Sequence, residues 1–139
     1  MSYEEKGTWA YLVTSAGAYA IYLVIVLGRL ASTPAAEVSY VPVLLGTCLA
    51  SIVAATVGRT LVEAARPSDS RQRDVRDKEI SRFGEHASRW FVIGGAAAAF
   101  FMAVAKVDYF WIANVIYLGF VLWAVAGSAL RLVAYRRGL

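Results

Sequence analysis

The chain has 139 residues, of which 59% are hydrophobic and 17% are charged, and its formal net charge is +4. Soluble domains are roughly 45–50% apolar and about 25% charged, so this composition lies outside their usual range. The apolar residues lie in four unbroken blocks rather than at amphipathic spacings, which excludes an ordinary soluble domain and predicts membrane spans.

The blocks predict an all-α integral membrane protein, a single transmembrane domain over residues 1–139 that folds as a bundle of four helices. The predicted spans cover about 8–28, 38–65, 88–105 and 109–134, with a linker over about 66–87. The first block is free of charge from Thr8 to Leu27, and these 20 residues reach about 30 Å as a helix. Because this run is longer than the apolar part of a signal peptide, and two glutamates precede it, we expect a membrane span.

The second span carries small residues at intervals of four: Gly46, Ala50, Ala54 and Gly58. Small residues let membrane helices approach closely. Most such faces are expected to pack inside the monomer, and a homodimer through this face is the alternative. Arg59 and Glu63 follow one turn apart and are expected to form an ion pair at the membrane edge.

The linker contains most of the charged groups. Pro67 ends the second span, and Asp69 with Gln72 predicts the start of a short cytoplasmic helix that leads into the third span. Acids and bases alternate along it, which favours a surface for a protein partner: Arg73, Asp74, Arg76, Asp77, Glu79, Arg82 and Glu85. An alternative is a membrane-interface enzyme in which Asp74, Asp77 and Glu79 hold a divalent cation. The interleaved bases make that alternative less favourable, and no catalytic residue is assigned.

The fourth span contains one strongly polar side chain, Asn114. A bond to a neighbouring helix is the commoner role for such a group. The alternative is a mid-membrane cavity lined by Asn114, Tyr117 or Trp123, as in a small dimeric transporter or a bundle that binds lipid or another hydrophobic ligand. The spans lack the buried carboxylate that a proton-coupled transporter usually needs.

Lysine and arginine are distributed unequally between the two predicted sides. Only Arg29 and Lys106 lie in the first and third connections, and the other 12 of the 14 lie before span one, around the linker or after span four. The positive-inside rule therefore predicts that both termini and the linker are cytoplasmic.

Single occurrences of cysteine and histidine limit the chemistry. Cys48 excludes an internal disulfide, and His86 excludes a haem held by two histidines of one chain. We expect no cofactor and no metal. The nearly balanced linker also argues against nucleic-acid binding.

Four segments resemble those of an uncharacterised family, a domain of unknown function found in small four-helix membrane proteins of high-GC, actinobacterial-type bacteria. They are EKGTW at Glu5–Trp9, RDKEISRFGEH at Arg76–His86, DYFWIANVIYLGFVL at Asp108–Leu122 and VAYRRG at Val133–Gly138. The resemblance implies a four-span fold in the bacterial cytoplasmic membrane, and it implies no activity. From the residues, the leading hypothesis is a non-enzymatic regulatory or accessory subunit. Its expected partners are the lipid bilayer and an unidentified cytoplasmic or membrane protein.

Overall fold

The computed structural model describes residues 3–65 and 75–138, which form four long helices and no strand. The helices are α1 (Tyr3–Leu30), α2 (Val41–Ala64), α3 (Val75–Val104) and α4 (Tyr109–Arg137), and a 3-10 turn at Ala35–Glu37 joins α1 to α2. Each of the four is long and apolar enough to cross a membrane. The prediction of four such helices is confirmed for the described part of the chain.

Local sequence explains where these helices begin and end. The Asp108 carboxylate accepts a hydrogen bond from the backbone N–H of Phe110 at 2.9 Å, which caps the start of α4. Gly138 ends α4 in the left-handed conformation, with φ of 74°, which glycine adopts without strain. Pro42 lies in the first turn of α2, where its missing N–H costs no helical bond. The pattern of caps and breakers thus determines the two hairpin connections.

Successive helices run in opposite directions. The guanidinium of Arg136, near the end of α4, lies 5.9 Å from the ring of Trp9, near the start of α1. Further along, the Tyr22 and Tyr117 rings are 4.9 Å apart. We call the end where α1 and α3 begin the termini end, and the opposite end the hairpin end. Every charged group of the central segment that the structure describes therefore lies toward the termini end.

The helices form a row rather than a closed ring. Extended backbone contact joins α2 to α1, α1 to α4, and α4 to α3, and no other pair of these helices is in comparably extended contact. The four-helix bundle expected from the sequence is thus incomplete between α2 and α3. Because no helix pair closes that side, space remains between them.

Glycine backbones form the close contact between α3 and α4. A Cβ atom on Gly95 would lie 3.1 Å from the Cα of Gly119, and one on Gly127 would lie 2.9 Å from the Ser88 hydroxyl. Small residues at these points let the two backbones approach, so that dispersion holds the pair together. These small faces pack inside the monomer, as was expected for most of them.

Aromatic rings fill the core at the hairpin end. Tyr22 is fully buried and Phe110 is 2% exposed, and both belong to one cluster with Tyr117, Val26, Val38 and Tyr40. Tyr40 meets Phe110 edge to face, with ring centroids 5.0 Å apart. Such T-shaped pairs are favourable beyond their buried area. This cluster ties the start of α2 and the start of α4 to α1.

The small-residue face of α2 packs differently from those of α3 and α4. Added Cβ atoms on Gly46 or Gly58 would meet nothing within 4 Å, and Ala50 and Ala54 are exposed. No described residue of α2 is buried. This stripe therefore has no partner helix within residues 3–65 and 75–138, and the homodimer through it stays a prediction.

The candidate binding crevice

A crevice runs along the gap in the helix row, at the termini end. Its volume is about 230 Å³, and all four helices contribute to its walls. We call it the terminal crevice, and it is lined by Glu4, Gly7, Thr8, Ala10, Tyr11, Ala55, Arg59, Val62, Glu85, Ser88, Trp123, Ala124, Gly127, Ser128 and Arg131.

A second cavity continues the first toward mid-membrane. It has a volume of about 330 Å³ and is lined by residues of α1, α2 and α4; we call it the mid-span recess. Tyr11, Trp123 and Ala124 line both spaces, so the two adjoin. Its remaining walls are mostly apolar or small: Ser15, Ala18, Cys48, Ser51, Ile52, Tyr117, Phe120 and Val121.

The length of the combined space matches one leaflet of a bilayer. Tyr117 in the recess and Arg131 in the crevice are fourteen residues apart on α4, which is about 21 Å along a helix. One leaflet is about 15 Å thick in its hydrocarbon part and about 20–22 Å thick with its headgroups, which is half of the whole bilayer. The space is therefore long enough to reach from the midplane of a bilayer to the headgroup level.

The sequence leaves this space open by placing small side chains on facing helices. Gly7 and Ala10 on α1 and Ala55 on α2 leave volume that larger residues would fill. Serines in the walls satisfy their hydroxyls locally. Ser128 donates to the Ala124 carbonyl at 2.7 Å, and Ser88 donates to the Gly84 carbonyl at 2.6 Å. These hydroxyls add little polarity to the walls.

The polarity of the space changes along its length. Its termini end carries two arginines, Arg59 and Arg131, and two glutamates, Glu4 and Glu85. The recess carries no ionisable carboxylate or base, and its polar groups are those of Tyr11, Tyr117, Trp123, Cys48 and the two serines. A charged opening that leads to a largely apolar interior matches the division of an amphiphile into headgroup and chain.

Arg131 is incompletely satisfied where it lies. Its Nη2 is 3.3 Å from the Glu85 Oε1, and its Nε is buried without a hydrogen-bond partner in the part of the chain that the structure describes. Its stem crosses Gly84, where an added Cβ would lie 2.6 Å from the Arg131 Cγ. Because Gly84 has no side chain, the Arg131 stem packs directly against the backbone of α3.

Of the three residues proposed for a cavity in the fourth span, one bonds to another helix and two line cavities. Asn114 accepts a hydrogen bond from the Tyr22 hydroxyl at 2.6 Å and donates to the Phe110 carbonyl at 2.7 Å. It therefore joins α1 to α4 and does not line either cavity. Tyr117 and Trp123 do line cavities, and the Tyr117 hydroxyl is 3.1 Å from the Thr47 hydroxyl on α2.

The central charged segment packs partly on α4. Asp77 accepts a hydrogen bond from the Tyr135 hydroxyl at 2.8 Å, and Glu85 pairs with Arg131. Glu79 and Arg82 are exposed, as is Arg76, which has an interaction of its own. Arg73 and Asp74 lie outside the described residues, as does the helix start expected at Asp69 and Gln72. The expected lead-in to span three takes the form of the first turns of α3, which is helical through Gly84.

Two further predictions concern an ion pair at the end of α2 and a metal site. Arg59 Nε lies 3.4 Å from Glu63 Oε1, with both side chains largely exposed at the end of α2. No group of three or more His, Cys, Asp and Glu side chains suited to a metal ion occurs within residues 3–65 and 75–138. Asp77, one of the three carboxylates of that alternative, accepts a hydrogen bond from the Tyr135 hydroxyl.

The sequence did not predict that Arg131 and Glu85 form an ion pair. Arg131 counted only toward orientation, and Glu85 only toward the charged segment. Gly127, four residues before Arg131, is the signal that was available, because it places a cation directly after a small-residue face. Tyr19 and Tyr22 were also missed, although their spacing of three puts both on one face of α1.

The described residues form four helices that are long and apolar enough to span a membrane, which fits a multi-pass membrane protein, and they line the terminal crevice and the mid-span recess. Comparison with known proteins finds no match to a protein-family model, a curated protein or a solved structure. The family resemblance drawn from the four quoted segments stays a prediction.

Proposed function

We propose that this protein binds an amphiphile of the lipid class, with the chain in the mid-span recess and the headgroup at the terminal crevice. It acts without catalysis, in a bacterial cytoplasmic membrane, and its termini end lies in the cytoplasm. The observation that carries the proposal is the pair of adjoining spaces between Tyr117 and Arg131, mostly apolar toward the middle of the helices and charged at the termini end.

Physical chemistry supports an occupant of this kind. An apolar space that stays empty forfeits the dispersion contacts of its walls, and water does not fill a site that offers it few polar partners. The side between α2 and α3 lacks extended helix contact, so an acyl chain can enter from the bilayer. The recess, at about 330 Å³, falls within the size range of small-molecule sites.

A neighbouring pair of alanines offers a matched test. Ala55 lines the terminal crevice, whereas Ala54 is exposed and lines neither cavity. Ala55→Phe fills the crevice and is expected to lower the amount of co-purified lipid about ten-fold, while Ala54→Phe keeps it. The measurement is native mass spectrometry of protein extracted in a mild non-ionic detergent, with mass spectrometric identification of the released lipid. Equal lipid occupancy in both variants and wild type contradicts the proposal.

A second candidate function is the accessory subunit that acts through the start of α3. Near the start of α3, Glu79 and Arg82 are exposed and Phe83 is half exposed. An exposed apolar ring beside exposed charges favours a protein contact there. Charge reversal of Glu79 and Arg82 together is expected to abolish recovery of a specific partner from detergent-solubilised membranes. Unchanged recovery of that partner, or the absence of any partner, rules out this surface.

A further inference from the structure

We infer that the amphiphile carries an oxyanion, a phosphate or a carboxylate, and that this group binds Arg131 in competition with Glu85. The inference rests on the proposed function, and it adds the chemistry of the headgroup and the residue that selects it.

The Arg131 guanidinium has hydrogen-bond donors that are not satisfied by described residues. A guanidinium offers five N–H donors, and a buried charged group without partners is costly. Here Glu85 takes one donor at 3.3 Å, which is long for a charge-assisted bond, and Nε has no partner. The site therefore lacks an acceptor, and oxyanions are the acceptors that guanidinium groups bind best.

The other charged groups at the opening already have partners. Arg59 pairs with Glu63, and its side chain is 69% exposed, so it is well hydrated. Glu4 has an interaction of its own, and Glu85 is already paired with Arg131. Of these groups, Arg131 is the one that is both largely buried, at 26% side-chain exposure, and short of partners. An ammonium headgroup has no comparable unmet acceptor to bind.

Glu85 can be displaced from its ion pair with Arg131. Its side chain is 57% exposed, so water can solvate the carboxylate once it is displaced. Arg131 cannot withdraw as easily, because its stem is packed across Gly84. An oxyanion at the headgroup level therefore displaces Glu85 from Arg131, and the two anions compete for one cation.

The competition predicts effects of opposite sign. Arg131→Gln is expected to weaken binding of a phosphate lipid at least ten-fold, because one charge-assisted contact is lost. Glu85→Gln is expected to strengthen it by about three- to ten-fold, because the competitor loses its charge. Glu37→Gln is the matched control, in the connection at the hairpin end: it is exposed, lines neither cavity and leaves affinity unchanged.

The experiment titrates the full chain in a non-ionic detergent with three probes and measures dissociation constants by native mass spectrometry. The probes are phosphatidylglycerol, palmitate and uncharged diacylglycerol. Tighter binding of phosphatidylglycerol than of palmitate identifies a phosphate, and the reverse identifies a carboxylate. Because Arg131→Gln can also disturb folding, the gain of affinity in Glu85→Gln decides the matter.

Two negative outcomes are distinguishable. If all three probes bind equally and Glu85→Gln has no effect, the oxyanion inference is wrong while the amphiphile site stands. If no probe binds to wild type or to any variant, the proposed function itself fails, and the inference fails with it.

Discussion

Gly84 and Gly94 lie on the same helix but in opposite surroundings. A Cβ atom on Gly84 would lie 2.6 Å from the Arg131 Cγ and 2.9 Å from the Gly127 carbonyl oxygen. A Cβ atom on Gly94 would meet nothing within 4 Å. The same substitution therefore tests close packing at one site and helix propensity alone at the other.

Gly84→Ala is expected to destabilise the protein by about 1–3 kcal/mol, because either α4 or Arg131 must shift to admit the methyl group. Gly94→Ala is expected to be neutral or stabilising by up to about 1 kcal/mol, since alanine favours the helix. Both values follow from denaturation in detergent monitored by circular dichroism. Equal effects of the two substitutions mean that the close approach of α3 to α4 at Gly84 is wrong.

At the scale of elements, α3 and α4 extend together beyond the hydrocarbon core. Their 30 and 29 residues correspond to about 45 and 43 Å, against a core of about 30 Å. The first turns of α3 are bonded to the last turns of α4 through Asp77 and Tyr135, and through Glu85 and Arg131. The helical lead-in to span three is thus held by tertiary bonds.

Tyr135→Phe is expected to loosen this lead-in selectively. Loss of one hydrogen bond to a charged group corresponds to about 1.5–3 kcal/mol, so amides of residues 75–80 exchange at least about ten-fold faster. Amides of residues 95–104, in the glycine-packed part of α3, keep their wild-type rates. Hydrogen–deuterium exchange with mass spectrometry measures both segments. Tyr109→Phe, at the exposed hairpin end, is the control, and unchanged exchange in Tyr135→Phe contradicts the proposed role of this bond.

At the scale of the whole molecule, the distribution of cations predicts orientation. Ala36 is exposed in the connection between α1 and α2, and Lys78 is exposed near the start of α3, at the opposite end. In a Cys48→Ser background, a membrane-impermeant maleimide is expected to label Ala36→Cys on intact cells. It is expected to label Lys78→Cys only after the membrane is permeabilised. The reversed pattern contradicts the cytoplasmic placement of the termini.

How much of the fold was predictable varied with the range of the interactions. Four charge-free blocks predicted four helices because backbone groups in lipid must bond within their own segment, which is a local requirement. Small-residue faces were expected to pack mostly inside the monomer, and those of α3 and α4 do, whereas the stripe on α2 meets no helix among the described residues. Spacing places residues on a face of a helix, but the neighbour of that face depends on how all four helices are arranged.

The candidate site was predictable in part for the same reason. Tyr117 and Trp123 were proposed as cavity residues and do line cavities, whereas Asn114 is occupied by Tyr22. Tyr22 lies 92 residues away from Asn114, so no local pattern indicates that bond. Whether a polar group faces a partner or a cavity depends on the helix opposite to it.

The sequence alone determined that the chain forms four apolar helices, and it contains the charge asymmetry on which the predicted orientation depends, because hydropathy and loop charges act within or beside a single segment. Only the tertiary structure decided that the helices form a row open between α2 and α3, and that Arg131 meets Glu85 at the mouth of the opening. Those features depend on distances between segments far apart in the chain. Such distances follow from the packing of small residues and aromatic rings in three dimensions.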